Sequence, residues 1–435
     1  MQEATRSGAF VAGEWVQQKW WEQFEDPVLT GLIERGLGYS PNLKLAQERL
    51  KAAAQTALQK KAALYPELDL DAFDLWVHLS KEGFFRAFAP MIPSTVNDFY
   101  IGLSFNYEFD FWGKNRDLFN AALGEVAASL AETMQAELIM TTSIAYTYYE
   151  LQFLLRKKML LEERKGNRDG VVQISVQRQM GALDTALEPL AAQANALDLE
   201  AEIQEVEIEV SSHLHKLKAL AGMQQDDPLD IRRIDPKQLR LKLPETLGLD
   251  LIARRPDLIA LRRRLEAAGK QVDAAKTDFY PNINLKAFLG TESVFWSQLF
   301  RTGNWNVAAA PALHLPIFTA GRIRAQLYEK LAEFNEAVYS YNQLILEAAQ
   351  EIADSLTKIS ALSQEIEIRK TSLNVALAQE AIVMRRYAGA LATRSDSLTA
   401  QDVSLQKQLI LAAVEYGAQL AEIELIRQLG GGFHE

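Results

Sequence analysis

Apolar and polar side chains alternate most regularly between residues 99 and 111. Every second residue in this stretch is aromatic or aliphatic, and most of the residues between them are polar. A period of two predicts a β-strand, because successive side chains of a strand point to opposite faces. The apolar row consists of Phe99, Ile101, Leu103, Phe105, Tyr107, Phe109 and Phe111. The pattern therefore predicts a long strand with one apolar and one polar face.

Three other segments show the same alternation. Residues 305–317 predict a second long strand, although Pro311 and Pro316 weaken it because proline cannot donate to a strand ladder. Residues 67–71 and 282–289 alternate over a shorter distance. We expect these to be shorter strands that open two β-hairpins, over about residues 66–111 and 281–318.

The alternation alone does not distinguish a membrane sheet from a half-buried sheet of a soluble protein. For a single strand the soluble sheet is the simpler explanation, because membrane strands are weak signals individually. Each long segment, however, exceeds the roughly nine to eleven residues that a tilted strand needs to cross a bilayer. Tyr65, Trp112 and Tyr280 stand at predicted strand ends, where aromatic side chains contact the membrane interface. Four such strands favour a membrane sheet.

A sheet of four strands cannot close into a barrel by itself. An open edge in lipid leaves backbone groups unpaired, at several kcal/mol each. Membrane barrels begin at about eight strands, so two copies are the minimum and three would give about twelve. The sequence therefore predicts a channel that needs several copies of the chain.

Long helices are predicted for the rest of each half. No proline occurs between Trp112 and Pro189 or after Ile317. At about 1.5 Å per residue, a helix from near Gly113 to near Arg178 reaches on the order of 100 Å, several times a bilayer thickness. Its apolar positions are rich in alanine, which permits close helix packing. The pattern suits the wall of a hollow helical cylinder or a filled coiled-coil bundle.

The long helices turn at matching sequences, residues 178–183 and 386–391. We expect Gly181 and Gly389 to adopt the left-handed conformation that ends a helix. Asp184 and Thr185 are then expected to cap the returning helix. The two tips are predicted near residues 178–185 and 386–393.

The chain is a tandem duplication. With an offset of 215, ten of the twenty-five residues 49–73 are identical to residues 264–288, including Tyr-Pro. With an offset of 208, the two tip sequences align. The predicted organisation is an N-terminal equatorial segment (1–40), a first repeat (41–222), an equatorial linker (223–250), a second repeat (251–430) and a tail (431–435).

Composition narrows the function. The net charge of −11 argues against a nucleic-acid partner, which needs clustered Lys and Arg. The absence of cysteine removes disulfides and thiolate sites, and no apolar run reaches the roughly eighteen residues of a membrane helix. Residues 1–18 contain no export signal, so an exported protein would have lost its leader.

The sequence offers no chemistry for catalysis. It contains no zinc-protease helix motif, no phosphate-binding glycine loop and no nucleophile constellation. His213 and His215 are two residues apart on a predicted helix and therefore point to different faces. We expect no catalytic residue, metal site or cofactor.

Several strings resemble the TolC-type outer-membrane factors, and in particular the OprM/NodT lipoprotein branch. The resemblance covers nearly the whole chain, and the Ala-Arg-Arg-Pro-Asp-Leu and Phe-Trp-Gly-Lys strings are the most specific. The matching segments are residues 20–27, 65–66, 110–114, 243–245, 253–258 and 315–318 with Gly321.

The resemblance implies an α+β membrane protein that forms a homotrimer. Its twelve-stranded β-barrel would lie in the outer membrane of a Gram-negative bacterium and continue as a periplasmic α-barrel with an equatorial collar. A periplasmic membrane-fusion adaptor and an inner-membrane transporter would complete a tripartite efflux pump, which moves drugs or metal ions through a passive channel. Members of this branch usually carry a lipidated cysteine, which this chain lacks. A periplasmic adaptor or a coiled-coil protein without a pore remains the alternative.

The resemblance also implies that the two tips form the periplasmic mouth. The gate candidates are Asp184, Glu188, Arg394 and Asp396, which would pair between subunits to hold the mouth shut. Ordinary helix-end charge is the simpler alternative. The candidates for adaptor contact are Arg178, Gly181, Ala182, Leu183, Arg386, Gly389, Ala390 and Leu391, for which plain turn geometry is the alternative.

Overall fold

The computed structural model describes residues 11–12, 17–80, 82–89, 91, 93–229, 231, 242–243 and 254–433. Most of the predicted linker, and much of the predicted N-terminal segment, therefore lie outside the described residues. The described chain divides into two compact units. Unit 1 comprises residues 1–48, 130–260 and 342–435, and unit 2 comprises residues 49–129 and 261–341.

Long helices and four long strands make up most of the chain. The helices are α1 (Pro27–Tyr39), α2 (Pro41–Ala62), α3 (Phe84–Phe88), α4 (Lys114–Met180), α5 (Leu187–Leu220), α6 (Pro256–Thr277), α7 (Arg322–Ala388) and α8 (Arg394–Gln428). The strands are β1 (Val11–Ala12), β2 (Glu67–His78), β3 (Thr95–Glu108), β4 (Lys242–Leu243), β5 (Asn282–Ser293) and β6 (Trp305–His314). None of the described helices is both long and apolar enough to cross a bilayer.

The tandem repeat is visible in the order and length of the elements. Helix α6 begins 215 residues after α2 and has the same length of 22 residues. Strands β2 and β5 have 12 residues each and differ by the same offset. Helices α4 and α7 have 67 residues each and begin 208 residues apart. The offset changes between the strands of each hairpin, where the connecting loops differ in length.

Unit 2 contains one antiparallel sheet in the order β2-β3-β5-β6. The pairing of β2 with β3 runs without interruption from Glu67–Asn106 to His78–Thr95. Pro311 is accommodated in β6, which is an edge strand of this sheet. Among the described residues, this sheet therefore has two unpaired edges, β2 on one side and β6 on the other.

The predicted strand lengths were wrong in two respects. Strand β3 begins at Thr95 and ends at Glu108, so that Phe109 and Phe111 lie beyond it. Strand β5, with 12 residues, is longer than β6, with 10, whereas β2, with 12 residues, is shorter than β3, with 14, but extends well past the alternating residues 67–71. The alternation in β2 fails because its apolar residues change faces: Ala72 belongs to one face and Phe73 to the other, while the backbone pairing continues.

The helices of unit 2 pack closely where small residues meet. A Cβ atom on Gly124 of α4 would lie 2.9 Å from the Cβ of Ala267 in α6. Lys270 pairs with Asp117 at 3.2 Å across the same two helices. Small residues thus allow α4 and α6 to lie side by side. The Lys270–Asp117 ion pair favours one alignment of the two helices along their length.

The core of unit 1 forms around the N-terminal aromatic motif. Trp20, Trp21 and Phe24 are buried with the α4 residues Tyr148 and Tyr149. The Asp26 carboxylate accepts hydrogen bonds from the backbone of Val28 and Leu29 at 2.9 and 3.2 Å and so caps α1. It also accepts the Tyr148 hydroxyl at 2.7 Å. One buried carboxylate thus ties the start of α1 to α4.

The end of the chain is packed as well. Gly430, Gly431 and Gly432 all adopt positive φ and are buried. A Cβ on Gly430 would overlap the backbone of Arg254, and one on Gly431 would overlap Leu138. The first residues of the predicted tail therefore form a close-packed turn, and glycine is required there.

Candidate functional site: hairpin tips, helix contacts and sheet faces

Both helical hairpins turn through the same backbone motif. At the first tip the Leu183 amide donates to the Arg178 carbonyl at 2.8 Å, and the Ala182 amide donates to Gln179. At the second tip the Leu391 amide donates to Arg386 at 2.7 Å, with the equivalent bond one residue earlier. These two bonds define a Schellman motif, which satisfies the last carbonyl groups of the helix.

The left-handed residue of each tip is alanine, and the prediction of glycine was wrong. Ala182 and Ala390 have φ of 54° and 55°, whereas Gly181 and Gly389 do not have positive φ. The Schellman bonds require the left-handed conformation one residue after each glycine. A side chain in that conformation costs about 1 kcal/mol. Both tips therefore carry backbone strain at the same position.

Replacing Ala182 with glycine should relieve this strain. We expect Ala182→Gly to raise the free energy of unfolding by about 1 kcal/mol, since glycine has no Cβ to clash at positive φ. Unfolding of the solubilised protein, followed by circular dichroism, measures the change. Gly181→Ala is the matched control: its Cβ would have no neighbour nearer than 3.5 Å, so it should not lower stability. A loss of stability in Ala182→Gly would contradict the assigned conformation.

An ion pair links the two sides of the turn at the first tip. The Arg178 guanidinium donates to both oxygens of Asp184, from Nε at 2.5 Å and from Nη2 at 3.2 Å. This hydrogen bonding holds the pKa of Asp184 below its usual value. The predicted cap was wrong: the residue before α5 is Ala186, which has a helical conformation and makes no side-chain bond. Asp184 is instead engaged by Arg178.

The second tip has a capping box at the start of α8. Thr393 Oγ1 accepts the Asp396 amide at 3.1 Å, and the Asp396 carboxylate accepts the Thr393 amide at 2.8 Å. These bonds lower the pKa of Asp396. The sequence contains the signal for this cap, a threonine followed three residues later by an acid, although the sequence analysis names Asp396 only as a gate candidate.

A cleft of about 450 Å³ lies beside the tips within unit 1. It brings together three of the four gate candidates, Asp184, Glu188 and Asp396. Arg168 and Arg178 face the same cleft, so it contains charges of both signs. The fourth candidate, Arg394, is exposed but does not line the cleft. The adaptor-contact candidates Leu183 and Leu391 are 70% and 73% exposed.

A buried acid of α8 forms ion pairs with two arginines of α4. The Asp402 side chain is 3% exposed and accepts from Arg164 Nε at 2.9 Å and from Arg168 Nη2 at 2.6 Å. Ser404, on the same helix, donates to Glu380 of α7 at 2.5 Å. The sequence prediction missed this link, although two arginines four residues apart share one helix face and were a usable signal.

A second buried acid in α8 has no such partner. Glu422 is 9% exposed, and its Oε2 atom has no hydrogen-bond partner among the described residues. Burial raises its pKa to about 8. Among the described residues no group of three or more His, Asp or Glu could hold a metal ion. Burial without a partner thus favours the neutral form of Glu422.

Glu422 should make stability depend on pH. The group binds its proton more tightly in the folded protein, so its contribution is complete below about pH 4 and is lost as the pH rises to about 8. Glu422→Gln stays uncharged, and we expect it to exceed the parent protein in stability above pH 8. Thermal unfolding between pH 5 and 9 measures this. The control is Glu424→Gln, at a half-exposed ion pair on the same helix, which should retain the parent's pH dependence. Equal stability profiles for Glu422→Gln and the parent would contradict a raised pKa of Glu422.

The two faces of the four-stranded sheet differ in polarity. Directly paired residues share a face, and the faces alternate along each strand. Over most of its length the first face carries apolar residues, namely Leu68, Leu70, Ala72, Ile101, Leu103, Phe105, Tyr107, Ile283, Leu285, Ala287, Leu289, Val307, Ala309, Pro311 and Leu313; towards the ends of the hairpins it also carries Asp74, Trp76, His78, Thr95, Asn97, Phe99, Thr291, Ser293 and Trp305. The second includes Glu67, Asp69, Asp71, Ser104, Asn106, Glu108, Asn282, Asn284, Lys286, Asn306 and His314.

No described residue covers most of the apolar face. Leu70 is 69% exposed and Val307 is 73% exposed. A strand of 12 residues is about 40 Å long, and tilted by about 40° it spans roughly the thickness of a bilayer. The geometry therefore fits lipid on the apolar face and water on the polar face.

Aromatic side chains stand at the ends of the strands. Trp112 and Tyr280 stack at 4.9 Å, and the Trp112 indole donates to the Pro281 carbonyl at 2.8 Å. Tyr65, the third predicted interface aromatic, is 59% exposed. Rings with an apolar body and one anchored polar edge are typical of a membrane interface.

Comparison with known proteins identifies this class. A sequence model described as "outer membrane efflux protein" matches the chain twice, over residues 32–223 and 247–431. The chain belongs to the outer membrane efflux protein family. It is an outer-membrane protein and the channel component of an efflux pump. The two matched ranges correspond to the two repeats.

Individual relatives are similar over nearly the whole chain. The multidrug resistance outer membrane protein MdtP of Escherichia coli K12 is 30% identical, over 96% of this chain and 87% of its own length. The crystal structure of the outer membrane protein VceC of Vibrio cholerae has a TM-score of 0.83 and 34% identity, over 97% of this chain and 100% of that one. The CmeC channel of Campylobacter jejuni shares the fold, with a TM-score of 0.88 and 22% identity, over 97% and 90%.

Proposed function

We propose that three copies of this chain form the passive exit duct of a tripartite efflux pump. One observation carries the proposal: the four-stranded sheet has an uncovered apolar face, a polar face and two unpaired edges. Lipid tolerates such a sheet only when its edges pair with further copies. Three copies supply twelve strands, with the polar faces lining the bore.

The helices offer matching surfaces for neighbouring copies. Exposed apolar side chains recur at seven-residue intervals, as at coiled-coil contacts. There are three such pairs and one triplet: Leu123 with Leu130, Ile139 with Tyr146, Leu190 with Leu197, and Ile368 with Val375 and Ile382. Burying these seams between copies would complete a helical tube around a hollow interior.

The pump partners follow from the family. A periplasmic membrane-fusion adaptor would dock on the tip residues, including Leu183 and Leu391, and an inner-membrane transporter would supply the energy. Most of the mass would then lie in the periplasm. The relative MdtP is named for multidrug resistance. We therefore propose drugs as the cargo. We also propose that the chain acts as a passive channel and uses no catalytic group, cofactor or metal.

The adaptor contact can be tested directly. The sequence contains no cysteine, so a single cysteine introduced at Leu183 or Leu391 provides a unique crosslinking position. We expect both to crosslink to the adaptor in cells, while a cysteine at the sheet residue Leu313 does not. Equal crosslinking from all three positions, or none from the tips, would contradict the docking proposal.

Charge at the tips is proposed to gate the mouth. Asp184, Glu188, Arg394 and Asp396 would line the constriction and pair between copies. We expect the double variant Asp184→Asn, Asp396→Asn to conduct more than the parent in planar bilayers, because the change removes two charges and retains the side-chain volume. Asparagine also preserves an acceptor for the capping bond. Glu200→Gln, at an exposed ion pair on α5, is the control; parental conductance in the double variant would argue against gating.

Reconstitution tests the proposed function. The purified protein should require surfactant, crosslink as a trimer and form ion-conducting channels in planar bilayers. Its deletion should make the host sensitive to drugs. A monodisperse monomer in buffer without surfactant would overturn the proposal.

A further inference from the structure

Two glycines meet in the middle of the polar face of the sheet. Gly102 of β3 and Gly290 of β5 are directly paired. Both are buried, although most of this face is open to solvent. The side chain that covers them is Tyr100, which belongs to the same face two residues before Gly102.

The Tyr100 ring lies against the wall because these positions have no side chains. A Cβ atom on Gly102 would overlap the Tyr100 hydroxyl and approach the ring carbon Cζ to 2.7 Å. A Cβ on Gly290 would lie 2.8 Å from both the Gly102 Cα and the Ile101 carbonyl oxygen, and 3.3 Å from the same hydroxyl, so this glycine allows the close approach of the two strands as well as of the ring. The ring also stacks on Phe73, its partner across the β2–β3 pair, at 5.0 Å with an interplanar angle of 22°. The Tyr100 side chain is therefore held along the sheet, with its hydroxyl end over the glycine pair and its ring against Phe73.

The glycine pair carries a cost in strand stability. Glycine in a strand is destabilising by roughly 0.5–1 kcal/mol relative to alanine. At the neighbouring position on the apolar face, Leu103 and Leu289 pair with full side chains. Covering glycine with an aromatic ring offsets part of the loss. What the glycines permit, and larger residues would not, is a tyrosine parallel to the wall.

We propose that Gly102 and Gly290 set the width of the duct at this level, by keeping Tyr100 flat. The proposal rests on the proposed function, because it takes the polar face as the lining of the bore. A larger residue at either glycine would lift the ring away from the sheet and into the lumen. Because every copy in the assembly would carry the same change, each would place a ring in the lumen and the bore would narrow at this level. The two glycines and Tyr100 are then specificity-determining residues, which act on the size of the solute.

Single-channel measurements in planar bilayers test this. Gly102→Ala and Gly290→Ala should each lower the conductance and exclude polyethylene glycols that enter the parent channel. Tyr100→Ala should raise the conductance. The double variant Gly102→Ala, Tyr100→Ala should conduct like Tyr100→Ala alone, since the added methyl group acts through the ring. Ala72→Val adds bulk to the apolar face of β2 and is the control, with parental conductance expected.

The outcomes separate this inference from the proposed function. If the parent protein forms no channel, the proposed function fails and this inference with it. If the parent conducts but Gly102→Ala conducts equally, or if removing Tyr100 does not abolish its effect, the inference alone is wrong. Where a glycine variant fails to assemble, Tyr100→Ala decides the matter, because unchanged conductance in that variant excludes the ring as a determinant of width.

Discussion

Leu103→Arg is expected to prevent stable assembly in the outer membrane. Leu103 lies near the middle of the apolar face, paired with Leu70 and Leu289. An arginine facing lipid at the bilayer midplane costs about 2–4 kcal/mol, and every copy of the assembly would carry it. The measurement is the amount of heat-resistant trimer recovered from outer membranes by detergent extraction.

The adjacent residue provides the control. Ser104 belongs to the polar face and donates to Asp71 at 3.0 Å. Ser104→Arg adds the same charge, but facing water and beside an acid. It should assemble normally and change only the conductance or ion selectivity. Equal loss of trimer in both variants would mean that the two faces have been assigned wrongly.

Asp402→Ala should destabilise unit 1 strongly. The substitution leaves Arg164 and Arg168 without the buried acid that both contact. Removing one partner of a buried ion pair costs 3–5 kcal/mol. Because the Arg168 side chain is 32% exposed, we expect about 3 kcal/mol, at the lower end of that range. Denaturant unfolding followed by circular dichroism measures the loss.

An exposed ion pair on α4, the helix that carries Arg164 and Arg168, is the matched control. Asp169 pairs with Lys165 at 3.0 Å, with side chains 46% and 30% exposed. Asp169→Ala should cost less than about 1 kcal/mol, because solvent screens such pairs. If both variants lose the same stability, the Asp402 link does not hold α8 to α4.

Much of the architecture could be predicted from local patterns. The Tyr-Pro pairs and the tip sequences reveal the duplication, because identical strings at a constant offset do not arise from helical composition. The proline-free stretches predict the long helices α4 and α7. The alternation around Leu103 predicts both a strand and the polarity of its two faces. These features depend on residues close together in the sequence.

Other features depend on hydrogen bonds, strand pairing and ion pairs, which the pattern of side chains along the sequence does not show. The left-handed residue at each tip is set by the hydrogen bonds of the Schellman motif, so the adjacent glycine was misleading. The length of β2 depends on its pairing with β3, which continues past Phe73 after the alternation has changed sides. The Asp402 link joins residues more than two hundred positions apart. None of these could be read from periodicity alone.

The change of sides at Phe73 has a consequence for the cell surface. Beyond this residue the face that carried Leu70 combines the exposed Trp76 with polar groups: Asn97 donates to Asp74 at 3.0 Å, and His78 is bonded to Thr95 at 3.0 Å. Polar groups beside a tryptophan suit the membrane interface and water rather than acyl chains. We therefore expect the end of the β2–β3 hairpin to extend beyond the lipid, where antibodies and other large molecules outside the bacterium could reach it.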